Sequence, residues 1–146
     1  MSEANKQLAR RWFEQVWNQR SEKAIDEIFH PHGKCYGFPD PDSVLEGPEA
    51  FKEIHRSFCG AFPDLVINVE EVVAEGDRVA IRWTAGMTHR GDHLGFPASG
   101  KKAALAGSSF IIVQNGKIMA GWNYMDLHKL FEELEEGPRK AGALLA

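Results

Sequence analysis

The chain has 146 residues, 43% of them hydrophobic and 26% charged, which is typical of one folded domain with its own core. The formal net charge is −4 and the basic residues are scattered, which argues against nucleic acid because phosphate binding needs a concentrated basic surface. No apolar stretch approaches the roughly 20 residues of a membrane span, and the N-terminal segment lacks the apolar core of a signal peptide. We therefore expect one cytoplasmic domain over residues 1–146, with neither nucleic acid nor membrane as a partner.

The cysteines and histidines do not predict a metal site. Cys35 and Cys59 match no redox or zinc spacing, so both are expected to be free thiols. His30 and His32 lie close to Cys35 in sequence, but a fourth ligand is missing and His-Pro is common at helix ends. No metal is therefore expected.

The first part of the chain predicts three helices. Apolar residues recur with helical spacing over residues 8–17, after the candidate N-cap Asn5. Ser21 is placed to cap a second, short helix. Residues 30–45 hold three prolines and two glycines, which predicts a loop with at most one short strand. Gly47-Pro48 then opens a third helix, because proline is favoured in the first helical turn.

The second part predicts an antiparallel meander of four strands, at residues 65–73, 79–89, 102–113 and 117–126. Asn115-Gly116 separates the last two strands and predicts a hairpin, because both residues tolerate positive φ. A short helix over 127–134 and a flexible tail over 137–146 complete the chain. Helices followed by strands are typical of an α+β fold, in which a twisted sheet and its helices enclose an apolar pocket.

The strand after Asn115-Gly116 carries polar side chains where a purely structural strand more often has Val or Ile. Asp126 either acts as a base whose pKa is raised by an apolar pocket, or caps the helix that follows. Asn123 either faces the pocket or makes a hydrogen bond inside the sheet. On the third helix, His55 either reaches the pocket as an acid or base, or lies on the helix surface.

Several short motifs follow one another along the chain: Gly47-Pro-Glu-Ala-Phe-Lys52, Ala61-Phe-Pro-Asp64, Ala74-Glu-Gly-Asp-Arg-Val-Ala-Ile-Arg-Trp-Thr84, Thr88-His-Arg-Gly91, Gly95-Phe-Pro-Ala-Ser-Gly-Lys101, and Gly116-Lys-Ile118 with Trp122 and Asp126. In this ordered set, from about Leu8 to Leu134, the chain resembles the SnoaL-like polyketide cyclases and their ester cyclase relatives. The resemblance implies the NTF2-like fold, an α+β cone. In this fold, N-terminal helices pack on a strongly curved, mostly antiparallel sheet and enclose a pocket.

The resemblance also implies a reaction, which is proton transfer without cofactor or metal. The characterised cyclases close a ring by intramolecular aldol condensation, with an Asp on the last strand as acid and base and a His on the preceding strand. Counting from Gly116, Asn123 stands in the place of that Asp and Ser109 in the place of the His. Because a side-chain amide neither gains nor loses a proton to form a stable ion near neutral pH, Asn123 can orient a carbonyl but cannot serve as the base.

The turn geometry decides which residue faces Asn123. A two-residue turn at Asn115-Gly116 would set Ser108 opposite Asn123, whereas a three-residue turn with a bulge would put Ser109 on its face. The resemblance requires the second arrangement. The pocket face of the last strand would then carry Met119, Gly121, Asn123 and Met125.

Two functional hypotheses follow. In the first, the protein is a cofactor-free cyclase, isomerase or lyase acting on a small, polyketide-like carbonyl compound, with Asp126 or His55 as base and Asn123 as carbonyl anchor. In the second, it is a non-catalytic small-molecule-binding or assembly protein. A homodimer through the open sheet face is expected, because helices cover only one side. The predicted ligand-lining residues are Trp17, Tyr36 on the loop over the cone, Phe58, Ser109, Met119, Trp122 and Met125.

Overall fold

The structure is a computed structural model and describes residues 2–95 and 97–134. The predicted tail over 137–146 lies outside the described residues. The helices are α1 (Ser2–Arg11), which continues as a π-helix (Trp12–Asn18), then α2 (Glu22–Ile28), α3 (Gly47–Ala61) and α4 at residues 127–134. None of the described helices is long and apolar enough to cross a membrane.

Two predicted helix caps have different outcomes. The cap at Ser21 is confirmed, since its Oγ accepts a hydrogen bond from the Ala24 backbone N–H at 3.0 Å. The cap at Asn5 is wrong, because α1 begins at Ser2 and the Asn5 amide instead donates to the carbonyl of Gly76. The start of α1 thus precedes the apolar stripe from which the helix was predicted.

Six strands form one sheet in the order β2-β1-β6-β5-β4-β3. All neighbouring strands are antiparallel except β1 and β6, which run parallel. The predicted four-strand meander is present as β3 to β6, but residues 30–45 were expected to hold at most one short strand. They supply most of an eight-residue strand and the start of a second, three-residue strand. Along the eight-residue strand, buried and exposed side chains do not alternate cleanly. The strands are β1 (Phe29–Tyr36), β2 (Val44–Glu46), β3 (Val66–Glu75), β4 (Arg78–Thr88), β5 (Lys102–Gln114) and β6 (Lys117–Met125).

The hairpin between β5 and β6 is confirmed, and its turn differs from the predicted one. Asn115 and Gly116 both have positive φ, and Gln114 pairs with Lys117, so the turn has two residues and not three. The extra residue lies further along β6: Val113 pairs with Ile118, while Ile112 pairs with Ala120. This bulge at Met119 brings Ser109 opposite Asn123, so that pairing is confirmed while the predicted turn is wrong.

The C-terminal end of the π-helix is anchored to β3 and the preceding loop. The Asn18 side chain donates to the carbonyl of Ile67 and accepts from its N–H, as a neighbouring strand would. Arg20 has positive φ, and its guanidinium donates to backbone carbonyls on both sides of the junction, including those of Trp17 and Pro63. These bonds satisfy carbonyls that a helix end leaves without partners and hold the Trp17 ring in place.

Candidate functional site

A cavity of about 90 Å³ lies between the helices and one face of the sheet. Its lining is almost entirely apolar, and among the described residues that line it none is Asp, Glu, His, Lys or Arg. Apart from the indole N–H groups of its tryptophans and the thioethers of Met87 and Met125, the polar groups of the lining belong to Cys35, Ser109 and Asn123. The aromatic part of the lining consists of Trp12, Phe13, Trp17, Phe29, Phe38, Phe51, Phe58 and Trp83.

Strand alternation decides which side chains reach the cavity. On β4, every second residue from Ile81 to Met87 lines it, as expected for successive side chains on opposite faces. On β6, the lining residues are Ile118, then Gly121, Asn123 and Met125, and the change of phase coincides with the bulge at Met119. The bulge therefore places Asn123 in the cavity wall.

The polar side chains form one directed chain of hydrogen bonds across four strands, from β4 through β5 and β6 to β1. Trp83 Nε1–H donates to Ser109 Oγ at 3.2 Å, and the Ser109 hydroxyl donates to Asn123 Oδ1 at 2.8 Å. Asn123 Nδ2 donates to the Tyr36 carbonyl at 2.9 Å and to Cys35 Sγ at 3.3 Å. An indole N–H only donates and a carbonyl only accepts, so the two ends fix the direction of every bond between them.

The thiol of Cys35 is buried and stays protonated near neutral pH. Burial raises its pKa to about 12, while the hydrogen bond from Asn123 acts in the opposite direction. Because the thiolate is the nucleophile of cysteine chemistry, Cys35 is an unreactive wall residue at neutral pH.

The structure brings together five of the predicted site residues in the cavity lining: Trp17, Phe58, Ser109, Asn123 and Met125. Tyr36, Met119 and Trp122, which were predicted as lining residues, lie outside it. Trp122 follows the bulge in the opposite phase to Asn123, and its ring stacks on Tyr36 at 5.3 Å on the other face of the sheet. Met119 is the bulged residue itself, so it loses the inward position that a regular strand would have given it.

The candidate base His55 is buried but does not line the cavity. Its Nε2 lies 2.6 Å from the carbonyl oxygen of Val16, so Nε2 carries the proton and donates it. Nδ1 is buried without a hydrogen-bond partner among the described residues. Burial lowers the pKa of His55, which keeps the ring neutral. His55 is thus neither a cavity acid nor the helix-surface imidazole considered as the alternative.

The candidate base Asp126 caps α4. It is exposed, and its Oδ1 accepts a hydrogen bond from the backbone N–H of Lys129 at 3.0 Å. This bond to the third residue of the helix is the usual N-cap geometry. Asp126 is not part of the cavity lining, so the capping alternative describes its position.

Sequence reasoning missed two members of the hydrogen-bond chain, Cys35 and the Trp83 indole N–H. Ile81, Trp83 and Ala85 occupy every second position of β4 and therefore share one face, and this spacing could have placed Trp83 on the face of Ser109. Cys35 depends on the parallel pairing of β1 with β6, for which the sequence carries no local pattern. Within the described residues, no three His, Cys, Asp or Glu side chains are grouped as metal ligands.

The family model for SnoaL-like polyketide cyclases matches residues 7–134. The chain belongs to the SnoaL-like polyketide cyclase family. No curated protein sequence matches this SnoaL-like chain. Its architecture, N-terminal helices on a six-stranded, mostly antiparallel sheet, is the NTF2-like α+β fold of the resemblance.

Solved structures share the fold of this SnoaL-like protein. A protein of Jannaschia sp. CCS1, assigned as a SnoaL-like polyketide cyclase, has a TM-score of 0.83 at 21% identity, with 94% of each chain covered. TsrD of Streptomyces laurentii has a TM-score of 0.77 at 25% identity, with 92% of this chain and 96% of TsrD covered. An NTF2-like protein of unknown function from Burkholderia pseudomallei has a TM-score of 0.75 at 16% identity, covering 92% and 98%.

Proposed function

We propose that this SnoaL-like protein binds a small, largely apolar ligand in the cavity between its helices and sheet, and that it does so without transferring protons. The observation that carries the proposal is the composition of the wall, which is aromatic and aliphatic with one polar cluster. Such a cavity is typical of small-molecule sites. Family membership supports a small molecule as the partner.

The cluster is poorly suited to proton abstraction. A general base needs a titratable group within hydrogen-bond reach of the carbon acid. Asn123 does not titrate, and the pKa of Cys35 is about 12 because of burial. The other two candidates, Asp126 and His55, are engaged with backbone groups away from the cavity.

The size of the cavity indicates which probes to use. About 90 Å³ is smaller than the roughly 300–1,000 Å³ of typical ligand pockets, so single-ring compounds are the natural first probes. Larger ligands require wall side chains to move, and the flexible side chains of Met87 and Met125 are suited to this.

Binding is tested with p-xylene and naphthalene, by melting temperature and by tryptophan fluorescence, since Trp12, Trp17 and Trp83 lie in the wall. A ligand that prefers the folded state raises the melting temperature. Gly121 lines the cavity and an added Cβ meets only ordinary contacts, so Gly121→Val should fill the cavity and abolish the shift. Gly86→Val is the matched control: an added Cβ meets no atom within 4 Å, and its neighbours Ala85 and Met87 point the other way. Equal shifts in the two variants would contradict binding in this cavity.

A second candidate is a cofactor-independent cyclase, isomerase or lyase. It is favoured by family membership and by the position of Ser109 and Asn123, which sit opposite each other in the wall where the resemblance places the His and Asp. This candidate predicts that the unmodified protein closes the ring of a conjugated polyketide-like carbonyl compound. No turnover by the unmodified protein, with turnover gained in Asn123→Asp, would favour the binding function.

We also propose a homodimer through the outer sheet face. Directly paired residues share a face, and the pairs Val44–Tyr36, Tyr36–Trp122, Trp122–Phe110, Phe110–Ala80 and Ala80–Val73 form one apolar row across all six strands. Phe110 and Val73 are about half exposed at 51% and 56%, an apolar surface that a partner would cover. Light scattering should show a dimer that Phe110→Lys dissociates and that Glu53→Lys, on the exposed side of α3, leaves intact. A monomer at all concentrations would refute this proposal.

A further inference from the structure

The hydrogen-bond chain leaves acceptors, and not donors, available to the cavity. A hydroxyl oxygen and an amide oxygen each offer two acceptor positions. Trp83 occupies one on Ser109 Oγ, and Ser109 occupies one on Asn123 Oδ1, so each oxygen keeps one position. The two oxygens lie 2.8 Å apart, and both residues line the cavity.

The donors of the same cluster are all engaged. Asn123 Nδ2 donates to the Tyr36 carbonyl and to Cys35 Sγ, and the Ser109 hydroxyl donates to Asn123. Rotating the Asn123 amide by half a turn would set its oxygen against the Tyr36 carbonyl, two acceptors facing each other. The orientation is therefore fixed by the backbone of β1, and the remaining donor of this cluster is the weak thiol of Cys35.

We propose that the cavity selects ligands carrying a phenolic or enolic hydroxyl, and that Asn123 Oδ1 and Ser109 Oγ accept the hydrogen bond from it. This inference rests on the proposed binding function and adds the class of ligand. It reverses the polarity of the carbonyl contact that the sequence suggested for Asn123. A ligand carbonyl at this place would meet oxygen lone pairs, whereas a hydroxyl would keep a partner after leaving water.

Three probes of similar size and different polarity test the proposal. p-Cresol offers a donor, p-xylene replaces the hydroxyl by a methyl group, and p-tolualdehyde offers an acceptor. Calorimetric titration should show p-cresol bound at least as tightly as p-xylene, and about three- to tenfold more tightly than p-tolualdehyde. In Asn123→Leu, the ratio of the p-cresol and p-xylene affinities should shift about three- to tenfold towards p-xylene. Ser108→Ala, on the other face of β5, should leave the ratio unchanged.

Two results would overturn the selectivity while leaving ligand binding intact. One is tighter binding of p-tolualdehyde than of p-cresol, and the other is an unchanged p-cresol to p-xylene ratio in Asn123→Leu. Should Asn123→Leu fail to fold, the order of the three probes on the unmodified protein decides the matter alone. Failure of all three probes and of naphthalene to bind would instead overturn the proposed function, so the two failures are distinguishable.

Discussion

Replacing Ser109 by Ala should destabilise the protein far more than the same change at the neighbouring Ser108. Ser109 is buried, accepts the indole N–H of Trp83 and donates to Asn123. Ser108 lies on the opposite face of β5, is half-buried, and makes no side-chain hydrogen bond within the described residues. The two substitutions therefore remove the same atom from adjacent residues of one strand, and only one of them breaks the chain.

The magnitude follows from the groups left without partners. Ser109→Ala leaves the buried Trp83 N–H without an acceptor, which costs about 1–3 kcal/mol. Asn123 Oδ1 loses a donor but borders the cavity, where water can replace it at little cost. We expect a loss of about 2 kcal/mol in the free energy of unfolding for Ser109→Ala, and less than about 0.5 kcal/mol for Ser108→Ala.

Urea unfolding at neutral pH measures both values. With a slope of about 2 kcal/mol per molar urea, Ser109→Ala should lower the midpoint by about 1 M. Trp83→Phe removes the donor, so adding Ser109→Ala to that variant should cost about 1 kcal/mol less than in the unmodified protein. Equal midpoints for Ser109→Ala and Ser108→Ala, or strict additivity with Trp83→Phe, would refute the reasoning.

Three further predictions use the same measurements. Asp126→Ala should lower the free energy of unfolding by about 1 kcal/mol through the lost N-cap, and Asp126→Asn should lower it much less. Neither change should alter p-xylene binding, and lost binding in Asp126→Ala would contradict the position of Asp126 outside the cavity. Burial lowers the pKa of His55 and of His89, so the free energy of unfolding should fall as pH drops below the ordinary histidine value of 6.5, where the unfolded chain takes up protons first. His55→Gln should flatten this dependence, and an unchanged slope would contradict the prediction. The raised pKa of Cys35 gives a pH dependence of the opposite sign: its contribution to stability is complete below the ordinary thiol value of 9.0 and is lost as pH rises towards about 12. In Cys59→Ala the native protein should therefore resist iodoacetamide at about pH 8 and react at once when unfolded.

Much of the fold was predictable because local patterns determine it. Asn115-Gly116 supports the positive φ of a two-residue turn, and the strands on both sides follow from their apolar runs. The strand β1 was not predictable, because its pairing with β6 is parallel and joins distant parts of the chain. The bulge at Met119 has no local mark either, since nothing in the neighbouring residues demands an extra position there.

The candidate site was predictable where the resemblance to the family assigns positions, and unpredictable where it depends on distant backbone. The resemblance placed Ser109 opposite Asn123, where counting across a two-residue turn gives Ser108, and the structure pairs Ser109 with Asn123 through the bulge at Met119. The burial of His55 depends on the Val16 carbonyl at the end of a π-helix, where the intrahelical donor is missing. Sequence periodicity assumes a regular helix, so it contains no information on this contact.

An Asp and an Asn at residue 123 differ in the hydrogen bonds they can make as well as in their ability to ionise. A carboxylate at this position would accept a hydrogen bond from Ser109, which lowers its pKa, but it could not donate to the Tyr36 carbonyl. It would instead face a backbone oxygen inside an apolar wall, and the facing oxygen and the apolar surroundings both raise the pKa of a carboxyl group. That raised pKa is what a general base requires near neutral pH. The amide of Asn123 instead satisfies the Tyr36 carbonyl and fixes the hydrogen-bond direction. The same backbone that would make a carboxylate basic therefore makes the amide a fixed acceptor, which is why we propose recognition of a hydroxyl and not removal of a proton.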